Sequence, residues 1–215
     1  MTNKLVRKVG GLLAVPVAAL AIGGAGLAAP QKAEAEGMYA GANIGYFSPS
    51  DQGFQKIYGG MVKFGGEVGY KANSDVRIGL GLEYGSASGT PITSGNTSGY
   101  TLTAKLSELS VEARVSKGFD LGVVVPYIGI EGSYNSFNEY LSDNVGDSIS
   151  ANVGDWGYGA FLGAEFKIPN SKIRPFAEFK YDSIPITNST GGVTAEESSP
   201  NGGGLTISGG ARIDF

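Results

Sequence analysis

From residue 37 onward the chain alternates apolar and polar positions in strand-length runs, separated by polar, glycine-rich connections. A period of two places successive side chains on opposite faces of a strand. The run 58–71 is the clearest. Tyr58, Gly60, Val62, Phe64, Gly66, Val68 and Tyr70 share one face; Gly59, Met61, Lys63, Gly65, Glu67, Gly69 and Lys71 share the other. The same pattern predicts strands over 37–48, 58–71, 75–85, 100–116, 123–135, 154–168, 173–184 and 203–215. The fourth changes parity midway. Leu102, Ala104 and Leu106 lead, but Leu109, Val111, Ala113 and Val115 follow, which predicts a β-bulge near Ser107 and Glu108. Connections alternate long (49–57, 86–99, 136–153, 183–202) and short (72–74, 117–122, 169–172). An even set of strands joined by alternating long loops and tight turns fits an antiparallel up-and-down barrel.

The two faces then decide what surrounds that barrel. The polar face carries glycine and charges of both signs: Lys63, Glu67, Arg77, Glu83, Glu112, Arg114, Glu131, Glu165, Lys167, Arg174, Glu178, Lys180 and Arg212. The interior of an eight-stranded barrel is only wide enough for side chains. Long charged chains beside glycine suit it, provided they pair, because an unpaired buried charge costs several kcal/mol. Pairs between neighbouring strands are expected, such as Glu67 with Arg77, with Lys167 set beside Arg174. On the apolar face the aromatics gather at strand ends. Tyr46, Tyr58, Tyr84, Tyr100, Tyr134, Trp156, Tyr158 and Tyr181 lie toward the long loops; Tyr70, Phe166 and Phe215 lie toward the turns. Two aromatic girdles around an aliphatic band describe a lipid-facing wall. The expected fold is all-β: an eight-stranded antiparallel up-and-down transmembrane β-barrel.

The first residues belong to a different pattern. Lys4, Arg7 and Lys8 precede an uncharged apolar run, 9–29, followed by Pro30 and the small-x-small site Ala33-Glu34-Ala35. This is the layout of a secretory signal cleaved after Ala35. The expected division is therefore a leader over 1–35 and a barrel domain over 36–215. Losing Lys4, Arg7, Lys8, Lys32 and Glu34 moves the formal net charge from −4 to −7, which argues against a nucleic-acid partner.

The segment 203–215, GGLTISGGARIDF, alternates strictly. Its Ser208, Gly210, Ile213 and Phe215 resemble the polar–x–Gly–x–x–hydrophobic–x–hydrophobic assembly signal of outer-membrane barrels. With the glycine-rich strand VPYIGIEGSY at 125–134, the chain resembles the small outer-membrane β-barrel family, OmpA-like in its transmembrane domain. That resemblance implies the outer membrane of a Gram-negative bacterium. It also implies contact with outer-membrane lipid and lipopolysaccharide, delivery by the barrel-assembly machinery through the last strand, and a monomer. The resemblance covers 37–215 and does not extend to the periplasmic peptidoglycan-binding domain of full-length OmpA-like proteins, so a tethering role is not expected.

Among its 215 residues there is no Cys and no His. This removes disulfide scaffolds, Cys-ligated zinc and the commonest general base. The barrel enzymes it could be compared with, lipid A deacylases, palmitoyltransferases and omptin proteases, carry a His, so none of those mechanisms transfers. No catalytic residue, cofactor or metal is expected; the acidic stretch 143–147 lacks the spacing of a calcium loop. The expected role is structural or surface-interacting, with a plugged, ion-paired lumen and four outside loops, one of which could take an extracellular ligand. A small pore or transporter for small or hydrophobic solutes is the second reading. A carboxylate-only enzyme using Glu131 and Glu165 is the third.

Overall fold

The computed structural model describes residues 37–72, 76–89, 92–93, 101–143, 148–186 and 201–215. The expected leader with Ala33 and Ala35, Tyr100 of the upper girdle, and residues 144–147 of the acidic stretch lie outside them. The strands are β1 (Gly37–Pro49), β2 (Met61–Lys71), β3 (Val76–Ser88), β4 (Ile92–Thr93), β5 (Thr101–Gly118), β6 (Val124–Asp143), β7 (Ser148–Phe166), β8 (Ile173–Ser183) and β9 (Gly204–Asp214). One helix, α1 (Gln52–Tyr58), lies between β1 and β2. Every pairing is antiparallel. β1 pairs with both β2 and β9, and β3 pairs with β5, so the sheet closes on itself. The two residues of β4 add to the end of β5 outside this ring. Eight strands make the closed up-and-down barrel.

Burial is inverted relative to a water-soluble barrel. Ile130 is 66% exposed, while its neighbour Glu131 is 5% exposed. Trp156 is 72% exposed and the adjacent Asp155 only 8%. A wall that hides carboxylates and presents indole and isoleucine belongs in an apolar medium. Tyr134 and Trp156 meet edge-to-face on that wall, with ring centroids 5.3 Å apart. Closure gives each barrel strand two pairing partners, so no strand edge is left for lipid. Among the described residues no helix is long and apolar enough to cross a membrane; strands make the crossing.

Three expectations are corrected. First, β5 has no bulge. It pairs with β3 from Lys105 to Lys117, and with β6 from Leu102 to Gly118, without a skipped residue. Ala104, Leu106, Glu108, Ser110, Glu112 and Arg114 are all buried. The inward face never changes; the lining changes, from apolar at the long-loop end to charged below. Second, 136–153 is largely strand. β6 and β7 continue as a hairpin from Ser136↔Gly154 to Ser142↔Ser148. Apart from Phe137 and Leu141, which pack on the cluster under α1, the sequence there is mostly polar, yet the backbone ladder persists.

Third, Tyr58 is not a girdle residue. It lies in α1 and is buried. Asp51 caps that helix, accepting from the Phe54 N–H at 3.0 Å, and Gly59 ends it at φ 64°. This turns Phe54, Ile57 and Tyr58 onto an apolar cluster of Phe47, Met61, Ala104, Leu106, Phe137 and Ile184.

Candidate functional site: the lumen

Inward positions of the strands converge on the barrel axis in layers. The layer toward the short turns is arginine and glutamate. Arg77 makes a two-pronged contact with Glu165, its Nη2 2.6 Å from Oε2. Arg212 reaches Glu165 at 2.6 Å and also pairs with Glu67. Arg114 donates to Glu178 at 2.5 Å and to Glu67 at 3.2 Å. Tyr127 Oη donates to the other Glu178 oxygen at 3.0 Å. Planar guanidinium forks suit such shared carboxylates.

Each of these arginines also stacks on a ring. Arg114 lies 4.0 Å from the Phe161 centroid, Arg212 4.0 Å from Phe176, and Arg77 5.7 Å from Tyr39. The rings in turn lie where neighbouring strands have glycine. A Cβ on Gly129 would come within 2.3 Å of the Phe161 ring, and one on Gly163 within 2.5 Å of Tyr127. The inward glycines therefore seat aromatic rings, and the rings carry the charges.

Above this layer Lys180 stands among four carboxylates: Glu112 at 2.6 Å, Glu83 at 2.9 Å, Glu131 at 3.2 Å and Asp182 at 3.7 Å. Asn43 donates to Glu83 at 3.3 Å. Lys63 and Glu108 pair at 2.8 Å, with the ammonium 4.3 Å from the Phe47 ring. Phe47 begins the apolar cluster under α1. There Tyr58 Oη donates to Glu139; burial first, and that carboxylate second, push the Tyr58 hydroxyl above its ordinary range.

The pairs cross the lumen more often than they join neighbours. Glu67 takes Arg114 and Arg212, and Arg77 takes Glu165, three strands round the ring. The expected Glu67–Arg77 pairing gives way because inward chains on a curved wall converge on the axis, where strands far apart in the sheet are neighbours. Lys167 and Arg174 are outside this cluster. Lys167 is on the turn after β7, pairing at 2.6 Å with exposed Asp120. That contact, with the Gly122 N–H, holds the Asp120 carboxyl below the usual range. Arg174 pairs with Asp214 at 2.7 Å at the turn-side rim. Sequence reasoning missed Glu108, which sits at the expected bulge, and Asp182, which shares the Lys180 face. Among the described residues no group of His, Cys or carboxylate side chains is arranged to hold a metal ion.

The last strand is seated by the same kind of fit. A Cβ on Gly210 would meet Ala42 O at 2.2 Å and the Phe176 ring at 2.8 Å. Ser208 faces the lumen, whereas Ile213 and Phe215 are exposed on the outer wall. The Phe215 N–H donates to Met38 O at 2.9 Å, beside the first strand.

Closed antiparallel strands, an apolar outer wall and a charged interior define an integral membrane β-barrel. The family model of the outer membrane protein beta-barrel domain matches residues 17–171, and the chain belongs to that family. It is an outer-membrane protein of Gram-negative type. Neisserial surface protein A matches at TM-score 0.56 and 18% identity, over 85% of this chain and 100% of that one. A major outer membrane protein from Thermus thermophilus matches at TM-score 0.50 and 14% identity, again over 85% and 100%. These two likenesses are of fold. No curated protein matches the chain.

Proposed function

We propose that the protein is a non-enzymatic envelope protein whose lumen is closed by its own side chains, and which acts through the surface it shows outside. The observation that carries this is Lys180 of β8 bonded to Glu83 of β3 on the opposite wall. A contact of that span places side chains across the axis, and the apolar cluster under α1 adds a second layer above it. The long hairpin of β6 and β7 supports a role in contact outside the cell, with an extracellular ligand recognised by the loops. The exposed aliphatic belt suits outer-membrane lipid, including lipopolysaccharide, around a monomer. Ser208, Gly210, Ile213 and Phe215 are proposed to carry recognition by the barrel-assembly machinery.

Planar-bilayer recording on the refolded barrel tests the closed lumen. The expected result is no steady conductance. Steady conductance, together with its loss on plugging mutations at Gly81 or Gly159, would favour the small pore or transporter instead. The carboxylate-only enzyme is disfavoured because Glu165 is held by Arg77 and Arg212 and Glu131 lies between Lys180 and Arg114.

A further inference from the structure

The charges of the lumen do not balance evenly. Toward the turns, Arg77, Arg114 and Arg212 face Glu67, Glu165 and Glu178. Lys63 faces Glu108. Around Lys180, by contrast, four carboxylates share one ammonium: Glu83, Glu112, Glu131 and Asp182. All four are buried. Leaving a buried carboxylate ionised without a matching cation or donor is strongly unfavourable.

Two of the four meet each other. Glu131 on β6 is level with Gly159 on β7, and Gly159 is level with Asp182 on β8. A Cβ at Gly159 would come within 2.2 Å of Asp182 Oδ1 and 3.2 Å of Glu131 Cγ. Glycine there leaves a gap over β7 that both carboxyl side chains border. Lys180 Nζ and Arg114 Nε each lie 3.2 Å from one Glu131 oxygen, yet neither Glu131 oxygen nor Asp182 Oδ1 makes a hydrogen bond. Two carboxylates are acceptors only and cannot satisfy one another. The groups facing them are Lys180 on β8, Arg114 and Glu112 on β5, Glu83 on β3 and Lys63 on β2. Lys180 is divided among four carboxylates and Arg114 among three, so neither neutralises the pair.

We propose that Glu131 and Asp182 form a proton-binding site, with one proton from water shared between their carboxyl groups as part of the folded barrel. The proton turns one acceptor into a donor and removes one negative charge from the Lys180 layer. It belongs to the pair and to neither residue alone. The site stands whether or not the barrel conducts, so its test is separate from the bilayer measurement. It also links stability to pH: a proton bound in the folded state and released on unfolding makes stability fall as pH rises.

Infrared spectroscopy of the folded barrel in detergent, at neutral pH, reads the site directly. A protonated-carboxyl stretching band should be present, shift on deuteration, and be lost in Glu131→Gln and in Asp182→Asn. Guanidinium unfolding supplies a second readout. The wild-type midpoint should fall from neutral to alkaline pH. In Glu131→Gln it should change less, because the amide donates to Asp182 at any pH. Absence of the band from the wild type overturns the proposal without requiring either variant to fold. So does a band that persists in both variants. A wild-type midpoint that rises with added calcium or sodium while the band is absent would assign the balancing charge to a metal cation, and would also overturn it.

Discussion

Gly163 and Tyr127 are one packing unit written on two strands. A methyl at 163 would strike the tyrosine ring and the Ala177 carbonyl, the latter at 2.4 Å. Gly163→Ala is therefore expected to destabilise the barrel by about 1–3 kcal/mol, as overpacking does. Gly66→Ala is the control. It faces outward, and its nearest atom is Gly41 O at 3.6 Å, so the unfolding midpoint in urea should barely move. Charge behaves in the same position-dependent way. Arg77→Ala leaves Glu165, at 0% exposure, with half its partners, and is expected to cost on the order of 3–5 kcal/mol. Lys167→Ala removes only a solvent-exposed pair and should leave the midpoint where it was. Since the Asp120 carboxyl is depressed by that pair, the contact persists above the ordinary carboxylate range. It is lost as pH falls through the folded-state value, a change visible in the Gly122 amide resonance.

At the scale of elements, α1 depends on its cap. Asp51→Ala removes the bond to the Phe54 N–H and is expected to loosen the helix by about 1 kcal/mol. Faster tryptic cleavage after the exposed Lys56, in intact cells, would register it. This helix was not legible in the sequence, because seven residues, Gln52–Tyr58, are too few to show a helical period. The strands were legible because lipid outside and charge inside enforce alternation at every step. Where one of those media ends, the pattern failed. In β5 the interior turns from Glu108 to Leu106 and Ala104, and the two faces become alike, so an unbroken ladder looked like a bulge. In the hairpin beyond Ser136 only Phe137 and Leu141 meet the apolar cluster, too few to show an alternation, and strand looked like loop. Shared parity marked much of the charged lumen, but the set read from it also took in Lys167 and Arg174 at the turn side and left out Glu108 and Asp182. The pairing was not legible, because contacts across the axis depend on height and register.

For the molecule as a whole, the last strand is where the ring closes. Phe215→Asp places a charge on the outer wall beside the first strand and is expected to deplete the protein from outer-membrane fractions. Unchanged levels would overturn the proposed assembly role of this strand. The seam itself has a further consequence, and it concerns time. β1 and β9 pair from Tyr39↔Asp214 to Pro49↔Gly204, so the earliest strand waits for the latest. Until then the growing sheet carries two bare edges, each able to recruit a foreign strand. Contacts so distant along the chain are also the slowest to form unaided. The interval before β1 meets β9 is therefore when the chain is most exposed to pairing with the wrong partner.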